Sequence, residues 1–323
     1  MTKRQVLEIL ETNRGKSVSG ESIAAQLHVS RNMIWRAINS LRAQGYMIEA
    51  GTNRGYCLTG ENDMISVEGI KPYLLAPAIA KDITVYSRID STNREAKLRA
   101  IAEASHGTVI IADAQSNGRG RYGREFISPT GKGIYMSIVL EAGKLPDIKP
   151  TAVTALAAVC VCEVLEQCLD IAPKIKWVND IYIDGKKVAG ILTEAITDLE
   201  SGNIERIILG IGINVTAKPI DFPPALRETA TSLFPGGKGD ISRNHLIAQV
   251  LNRILCQNLP NGTELFTKYR ARVLMLGQSI TVMAAGGNYE AIARDIDKDG
   301  HLIIELPNGK MRALSGGEIS VRQ

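Results

Sequence analysis

Between Ser30 and Gly45 the residues Ile34, Ala37, Ile38 and Leu41 recur at helical spacing. This is one stripe of an α-helix, opened by a serine suited to cap free N–H groups and closed by a glycine suited to a left-handed stop. A helix with a single apolar stripe needs neighbours to cover it and leaves its other face in water. The neighbours precede it. Val6, Leu7, Ile9 and Leu10 give a first short helix its apolar face, and Ser19, Glu21, Ile23 and Leu27 mark a capped helix over 20–27. His28-Val29 reads as the tight turn between the second and third helices. Beyond Gly45, Tyr46-Met47-Ile48 and Gly55-Tyr56-Cys57-Leu58 read as two short strands around the hairpin Ala50–Arg54. Three helices and a hairpin make a winged helix-turn-helix, assigned to residues 1–62.

The free face of the third helix carries Arg31, Asn32, Trp35, Arg36 and Asn39, and Arg54 sits near the hairpin tip. Residues 1–60 hold eight basic and four acidic side chains, net +4, against chain totals of 38 and 34. The remainder is therefore neutral, and the whole excess lies in the head. A basic head on a neutral body points to a polyanion. In a winged helix the third helix enters the major groove and the wing touches phosphate, which makes Ser30, Arg31, Asn32, Trp35, Arg36 and Arg54 the candidate DNA contacts. The alternative is a small helical domain for protein contacts with a merely solvated polar face; the charge location and the wing favour DNA.

No apolar run is read here as long enough to cross a bilayer, and charges interrupt the N-terminal pattern MTKRQVLEIL, so neither a membrane span nor a signal peptide is expected. The five cysteines, 57, 160, 162, 168 and 256, form no CxxC pair and read as reduced thiols of a cytoplasmic protein. Between 61 and 80 the pattern weakens, and Pro72 and Pro77 suggest a connector. From Ile83 onward β-rich runs alternate with helical ones. Strands are expected at Ile83–Tyr86, Val109–Ala112, Ile134–Leu140, Ile175–Trp177, Ile181–Ile183, Val188–Thr193 and Ile207–Ile213. Helices are expected from Thr92, over 151–169 and from Ser242 to about 259. This describes a mixed sheet with helices mostly on one face, an α+β domain over 63–272. Over 273–323 short alternating strands separated by Gly286-Gly287-Asn288, Asp299-Gly300 and Asn308-Gly309 suit a small SH3-like barrel. Asp295-Ile-Asp-Lys-Asp-Gly300 imitates an EF-hand start, but the twelfth position is Leu306, and a hairpin turn is expected.

Residues 115–124 read QSNGRGRYGR. The glycines let backbone N–H groups converge on an anion, while Arg119, Arg121 and Arg124 can pair with phosphate or carboxylate. The stretch lacks the ending of a P-loop and the helix register of a dinucleotide fingerprint. Composition alone leaves open an arginine-rich segment that binds nucleic acid. Three further stretches decide between these. Asp90-Ser-Thr-Asn93 opens a helix with hydroxyl and amide groups, and Lys174-Ile-Lys-Trp-Val-Asn-Asp180 is followed by Asp184-Gly-Lys-Lys187 and Val-Ala-Gly190. Gly210-Ile-Gly212-Ile-Asn214 ends the last strand.

Taken in this order, the four stretches resemble those of biotin protein ligases. With the winged head in front, the chain resembles the bifunctional ligases that also repress biotin genes, over essentially its whole length. The resemblance implies two steps: biotin and ATP give biotinyl-5′-AMP and pyrophosphate, then a lysine of a biotin carboxyl carrier protein or domain takes the biotin. Mg²⁺ would accompany ATP, and positioned cations would do most of the catalysis. By resemblance, Ser91, Thr92, Asn93, Gln115, Gly118, Arg119, Gly120, Arg121, Lys187 and Gly190 bind biotin. Arg121, Lys187, Asn179 and Asn214 contact the nucleotide. Lys187 and Arg121 serve the phosphoryl chemistry, and Asp180 orients and deprotonates the incoming lysine. No residue is assigned as a protein metal ligand. Lys186 reads as a solvated neighbour and Trp177 as core.

Two departures stand out. Val178 replaces a proline common before Asn179-Asp180, and no tryptophan stands near Ala230-Thr231-Ser232-Leu233 to cover an adenine. The resemblance also implies operator DNA as a partner and a homodimer when adenylate is bound. Ile134–Leu140 is the expected pairing edge. A lipoate ligase and a ligand-sensing transcription factor without enzymatic activity are the competing readings.

Overall fold

The computed structural model describes residues 2–51, 54–145, 150–198, 200–256, 259–284 and 287–321. Two of the expected turns fall partly outside these: Thr52 and Asn53 of the first hairpin, and Gly286 of the C-terminal piece. Contacts divide the chain into two compact units, Met1–Val85 with Asp240–Asn252, and Tyr86–Gly239 with Arg253–Gln323.

In the first unit α1 (Thr2–Thr12), α2 (Gly20–Leu27) and α3 (Arg31–Ala43) precede the antiparallel pair β1 (Ile48–Gly51) and β2 (Gly55–Leu58). The Ser19 hydroxyl accepts from the Ser22 N–H and the Ser30 hydroxyl from the Met33 N–H, the cap contacts these residue types supply. His28 takes φ 53° and closes α2. Val6, Leu10, Ile23, Ile34, Ile38 and Leu41 form one buried cluster. The first strand begins at Ile48 and not, as the sequence suggested, at Tyr46. Gly45 turns at φ 100° and the Tyr46 N–H still bonds back to Leu41 O, so Tyr46 belongs to the helix exit and its ring to the core.

The stretch 61–80 is not open chain. It contains α4 (Val67–Ile70), and its polar groups are met by residues 243–252. Arg243 donates from its backbone N–H and its guanidinium to both Asp63 carboxylate oxygens, and also to the Asp63 carbonyl. Asn244 and Asn252 each hold one backbone donor and one acceptor, at Ser66 and Met64 and at Leu75 and Tyr73 respectively.

The second unit is built on a mixed sheet. Its elements are β3 (Ile83–Tyr86), within which the division between units falls, α5 (Thr92–Ile101), β4 (Val109–Ala112), β5 (Gly133–Glu141), α6 (Pro150–Leu169), β6 (Lys174–Lys176), β7 (Asp180–Ile183), β8 (Lys186–Thr197) and β9 (Ile204–Asn214). The strand order is β3-β4-β5-β9-β8-β7-β6. Along the chain α7 (Arg243–Leu255), which belongs to the first unit as far as Asn252, and α8 (Gly262–Arg270) follow. A five-stranded antiparallel sheet of β10 (Ser279–Met283), β11 (Tyr289–Ile296), β12 (Leu302–Glu305), β13 (Met311–Leu314) and β14 (Glu318–Val321) closes the chain.

α5 lies over one face of the large sheet: Ala96 and Ala100 pack on Ile110, Val139 and Ile208. α6 lies over the other, where Thr154 shares a hydrogen bond with Thr193, whose side chain points opposite to those of Leu192 and Glu194. This corrects the membrane expectation on one point. Ala152–Leu169 is long and apolar enough to span, with mean hydropathy 1.8, but 78% of it is buried, which marks the core helix of a folded unit. A second correction concerns β5. Ile134–Leu140 is no edge: it pairs with β4 on one side and β9 on the other and is buried throughout, because both faces are covered and both sets of side chains are apolar. The EF-hand-like stretch ends in the turn between β11 and β12, where the Asp297 carboxylate accepts from the N–H groups of Asp299 and His301.

Candidate active site

Strand register lays the floor of a cavity. Tyr135 of β5 pairs with Gly212 of β9, Gly212 with Gly190 of β8, Gly190 with Asp180 of β7, and Asp180 with Lys176 of β6. Paired residues point to the same face, so one row across five strands reads Tyr-Gly-Gly-Asp-Lys. The two central glycines bare the backbone. A Cβ on Gly212 would come within 2.6 Å of the Phe126 ring, and one on Gly190 within 3.2 Å of Lys187 Nζ. Over this row lies a cavity of about 320 Å³, at the small end of ligand-site volumes.

The wall beside α5 is a buried polar chain. Gln115 Oε1 accepts from the Thr92 N–H at 2.8 Å and from the Thr92 hydroxyl at 3.1 Å, and Gln115 Nε2 donates to Ser128 Oγ at 2.9 Å. Ser137, fully buried on β5, places its single hydroxyl proton between Thr92 Oγ1 at 2.8 Å and Asn93 Oδ1 at 2.6 Å. Asn93 Nδ2 donates to Glu194 at 2.7 Å. Gly210 makes room: a Cβ there would sit 2.1 Å from Asn93 Oδ1. Ser91 caps α5 through the Arg94 N–H. Every member is satisfied, which fixes the direction of the Gln115 amide and the Thr92 hydroxyl at the cavity.

The glycine-arginine loop folds back on itself as a narrow hairpin. Phe126 N–H donates to Gly118 O at 2.9 Å and Gly120 N–H to Arg124 O at 2.7 Å. A Cβ on Gly118 would lie 2.3 Å from Phe126 O, so that glycine is required by close backbone approach. Gly118 itself does not line the cavity, whereas Arg119, Gly120 and Arg121 do. Arg121 reaches Asn179 Oδ1 at 3.3 Å and stacks over the exposed Tyr122 ring at 5.0 Å. Arg119 and Arg124 are exposed at the mouth.

On the far side, Lys187 Nζ stands 2.7 Å from Asp180 Oδ1. That oxygen receives no well-aligned hydrogen bond, so the contact is a charge pair and not a directed bond. Lys187 is anchored through its backbone, which bonds to Thr229 O and to the Thr231 N–H. Asn179 is held by its own side chain on Ile191 O at 2.8 Å, and Asn214 by Thr231 O at 3.0 Å. The turn 177–179 is clasped from the C-terminal side: Trp177 Nε1 donates to Gly300 O at 3.0 Å and the Tyr269 hydroxyl to Val178 O at 2.9 Å. Burial, with the Asp180 charge as a lesser cause, pushes the Tyr182 hydroxyl up to about 12, so it stays a neutral phenol. Lys186 faces Glu228 at 4.0 Å, at the surface.

Ser91, Thr92, Asn93, Gln115, Arg119, Gly120, Arg121, Asn179, Asp180, Lys187, Gly190 and Asn214 therefore line one cavity. The sequence reading missed Ser128, Ser137 and Glu194, which orient those residues, and Phe126, whose ring seats on the glycine row. It also left open the wall that Phe222, Leu226, Thr229 and Ala230 line. No local motif announces any of these; register and long-range packing bring them in. In the other unit Ser30 spends its hydroxyl as the cap of α3, while Arg31, Asn32, Trp35 and Arg36 are exposed on the face away from the core and Arg54 is exposed on the hairpin.

The chain matches the Biotin/lipoate A/B protein ligase family over residues 85–214, an HTH domain over 2–57 and a Biotin protein ligase C terminal domain over 275–322. It is 33% identical over 317 residues to the bifunctional ligase/repressor BirA of Bacillus subtilis (strain 168), covering 95% of both chains. It is 31% identical over 319 residues to that of Escherichia coli (strain K12), covering 95% of this chain and 94% of that one. Among solved structures, biotin protein ligase from Aquifex aeolicus in complex with biotin and ATP aligns with a TM-score of 0.61 and 28% identity, over 75% of this chain and 99% of that one. The chain belongs to the biotin protein ligase family, in its bifunctional ligase/repressor form.

Proposed function

We propose that this chain condenses biotin with ATP to biotinyl-5′-AMP, transfers the biotin to a lysine of a carboxylase carrier domain, and represses biotin genes as an adenylate-bound dimer on operator DNA. One observation carries the enzymatic reading: the oriented Thr92–Gln115 pair, Arg121 on Asn179, and Lys187 on Asp180 converge on one cavity over a bare glycine floor. The functional division would run 1–62 for DNA, 63–272 for the ligase and 273–323 for the C-terminal domain, and the setting would be the cytoplasm, where these partners meet.

In the first step a biotin carboxylate oxygen attacks the α-phosphorus. The O–P bond forms, the bond to the bridging oxygen breaks, and pyrophosphate leaves with that electron pair. No enzyme nucleophile is needed. Ser91, Thr92, Asn93, Gln115, Gly190 and the loop residues Arg119–Arg121 hold biotin, with Gly118 letting the loop close on itself. Lys187 and Arg121 neutralise charge at the carboxylate and the α-phosphate, and Asn179 and Asn214 hold the nucleotide. Mg²⁺ entering with ATP would find at Asp180 a carboxylate whose Oδ1 is buried and takes no directed hydrogen bond, with the Lys187 ammonium 2.7 Å away, and would supply further charge neutralisation at the phosphates. In the second step the acceptor amine attacks the acyl carbon, AMP leaves, and Asp180 takes the amine proton.

The test is biotin-dependent exchange of pyrophosphate into ATP. Activity that lipoate cannot support favours this reading over a lipoate ligase, and no exchange at all leaves the ligand-sensing transcription factor.

A further inference from the structure

We propose that Asn214 is a positioning residue for Lys187, acting through residues 229–231, which grip the backbone of the lysine where β9 has run out. This rests on the ligase reading above and adds to it a task for Asn214 other than contact with the nucleotide. The ladder between β8 and β9 opens at Ala189 and Ile213. Lys187, two residues earlier on β8, lies beyond that ladder, with Tyr182 of β7 as its partner on the other side. Residues 229–231 fill the place that β9 leaves. The Lys187 N–H donates to Thr229 O and Lys187 O accepts from the Thr231 N–H, both at 2.8 Å, a short parallel pairing centred on Ala230. Without it Lys187 would stand at the open corner of a strand just after a hairpin turn, where backbone frays.

Asn214 ties this grip to the sheet. It is the last residue of β9, pairs with Gly133 of β5 and is 6% exposed. Its Nδ2 donates to Thr231 O at 3.0 Å, and its backbone oxygen accepts from the Leu233 N–H at 3.0 Å. Ser232, 4% exposed and outside the cavity lining, ties the same stretch to Ala217 O at 2.7 Å. Thr231 is thus held by Asn214 at its carbonyl and holds Lys187 through its N–H. One side chain on an inner strand sets the backbone from which the Lys187 ammonium reaches Asp180 at 2.7 Å. The contact needs an amide, because only an N–H can meet a carbonyl; a carboxylate would keep the oxygen and repel Thr231 O. Displacing Lys187 weakens neutralisation of the charge that develops in the transition state, and touches ground-state binding of biotin and ATP much less.

The experiment compares the wild type with Asn214→Asp, Asn214→Ala and Ser232→Ala, each made also in a Lys187→Ala background. Biotin-dependent exchange of pyrophosphate into ATP is followed against biotin and ATP concentration. Both Asn214 variants are expected to lower exchange turnover by about 30-fold, with half-saturation for biotin and ATP within about threefold, and Ser232→Ala to lower it by about threefold. In the Lys187→Ala background the same changes should cost less than about twofold more, because the side chain they position is gone. Ser232→Ala carries the same comparison at smaller amplitude should the Asn214 variants not fold. Wild-type turnover in Asn214→Asp overturns the proposal, since the side-chain oxygen alone then suffices. Losses that multiply in full on Lys187→Ala overturn it too, because Asn214 would then act on something else. So does a rise in half-saturation for ATP at unchanged turnover, the mark of a nucleotide contact alone. If the wild type shows no biotin-dependent exchange, it is the ligase reading that fails, and this inference with it.

Discussion

Ser137→Ala is the sharpest test of the buried chain behind the cavity. The serine hydroxyl lies 2.6 Å from Asn93 Oδ1 and 2.8 Å from Thr92 Oγ1, and all three residues are at most 4% exposed. Removing the hydroxyl loses one net hydrogen bond, about 1 kcal/mol, and leaves Asn93 Oδ1 short of a donor where water cannot reach, about 1–3 kcal/mol. The change in volume is small, so a cavity term adds little. A loss of roughly 2–3 kcal/mol in stability is expected, read by urea unfolding of the full chain with near-ultraviolet signals. Biotin affinity should fall as well, because the Thr92 hydroxyl that serves Gln115 loses its support. The origin can be isolated with Asn93→Ala: in that background no orphaned acceptor remains, and Ser137→Ala should cost about 1 kcal/mol less than it does alone. A single variant within ~0.5 kcal/mol of wild type, or strict additivity of the pair, would refute the account of this chain as a satisfied network.

Lys187→Ala should slow adenylate formation by about 10²-fold or more while the unfolding midpoint stays near wild type; exchange surviving within a factor of a few would remove Lys187 from the chemistry. Arg121→Gly loses the contact to Asn179 and should shorten the lifetime of bound adenylate, detected as biotin on bystander lysines; unchanged release kinetics would count against it. His106 provides a pH test. Burial, helped by Lys144, holds its pKa below the ordinary 6.5, and its Nδ1 accepts from the Glu141 N–H at 3.1 Å, which only the neutral ring can do. The folded value is depressed, so its stabilisation is complete above the ordinary value and drains as pH falls through the lower folded one. Melting temperatures measured from pH 7 to 5 should show a slope that His106→Gln flattens. Operator binding should need biotin and ATP through dimerisation, since a head of net charge +4 makes few phosphate contacts. Sedimentation and footprinting of the apo protein should therefore show neither dimer nor a two-half-site footprint.

The sequence by itself determined whatever depends on local chemistry. Ser19, Ser30 and Ser91 cap the helices they precede because a serine oxygen satisfies an N–H three residues on, and nothing distant is required. The stripe Ile34-Ala37-Ile38-Leu41 had to be buried, and so the face with Arg31, Trp35 and Arg36 had to be free. The motifs are different: 90–93, 115–124, 174–190 and 210–214 are each common alone, and they are legible as ligand-contacting stretches only as an ordered set that resembles the one in biotin protein ligases. Tertiary structure alone decided how they meet. Lys176, Asp180, Gly190, Gly212 and Tyr135 form one row only because five strands pair in one register, and a slip of a single residue would turn alternate members to the opposite face. Ser137 looks like any serine in an apolar strand until α5 sets Thr92 and Asn93 above it, 45 and 44 positions earlier in the chain. β5 read as an edge because alternation cannot reveal how many neighbours a strand has. Local propensity acts over a few residues, whereas register and burial are set by cooperative packing of the whole sheet, and the pairing order within it is a property of no single segment.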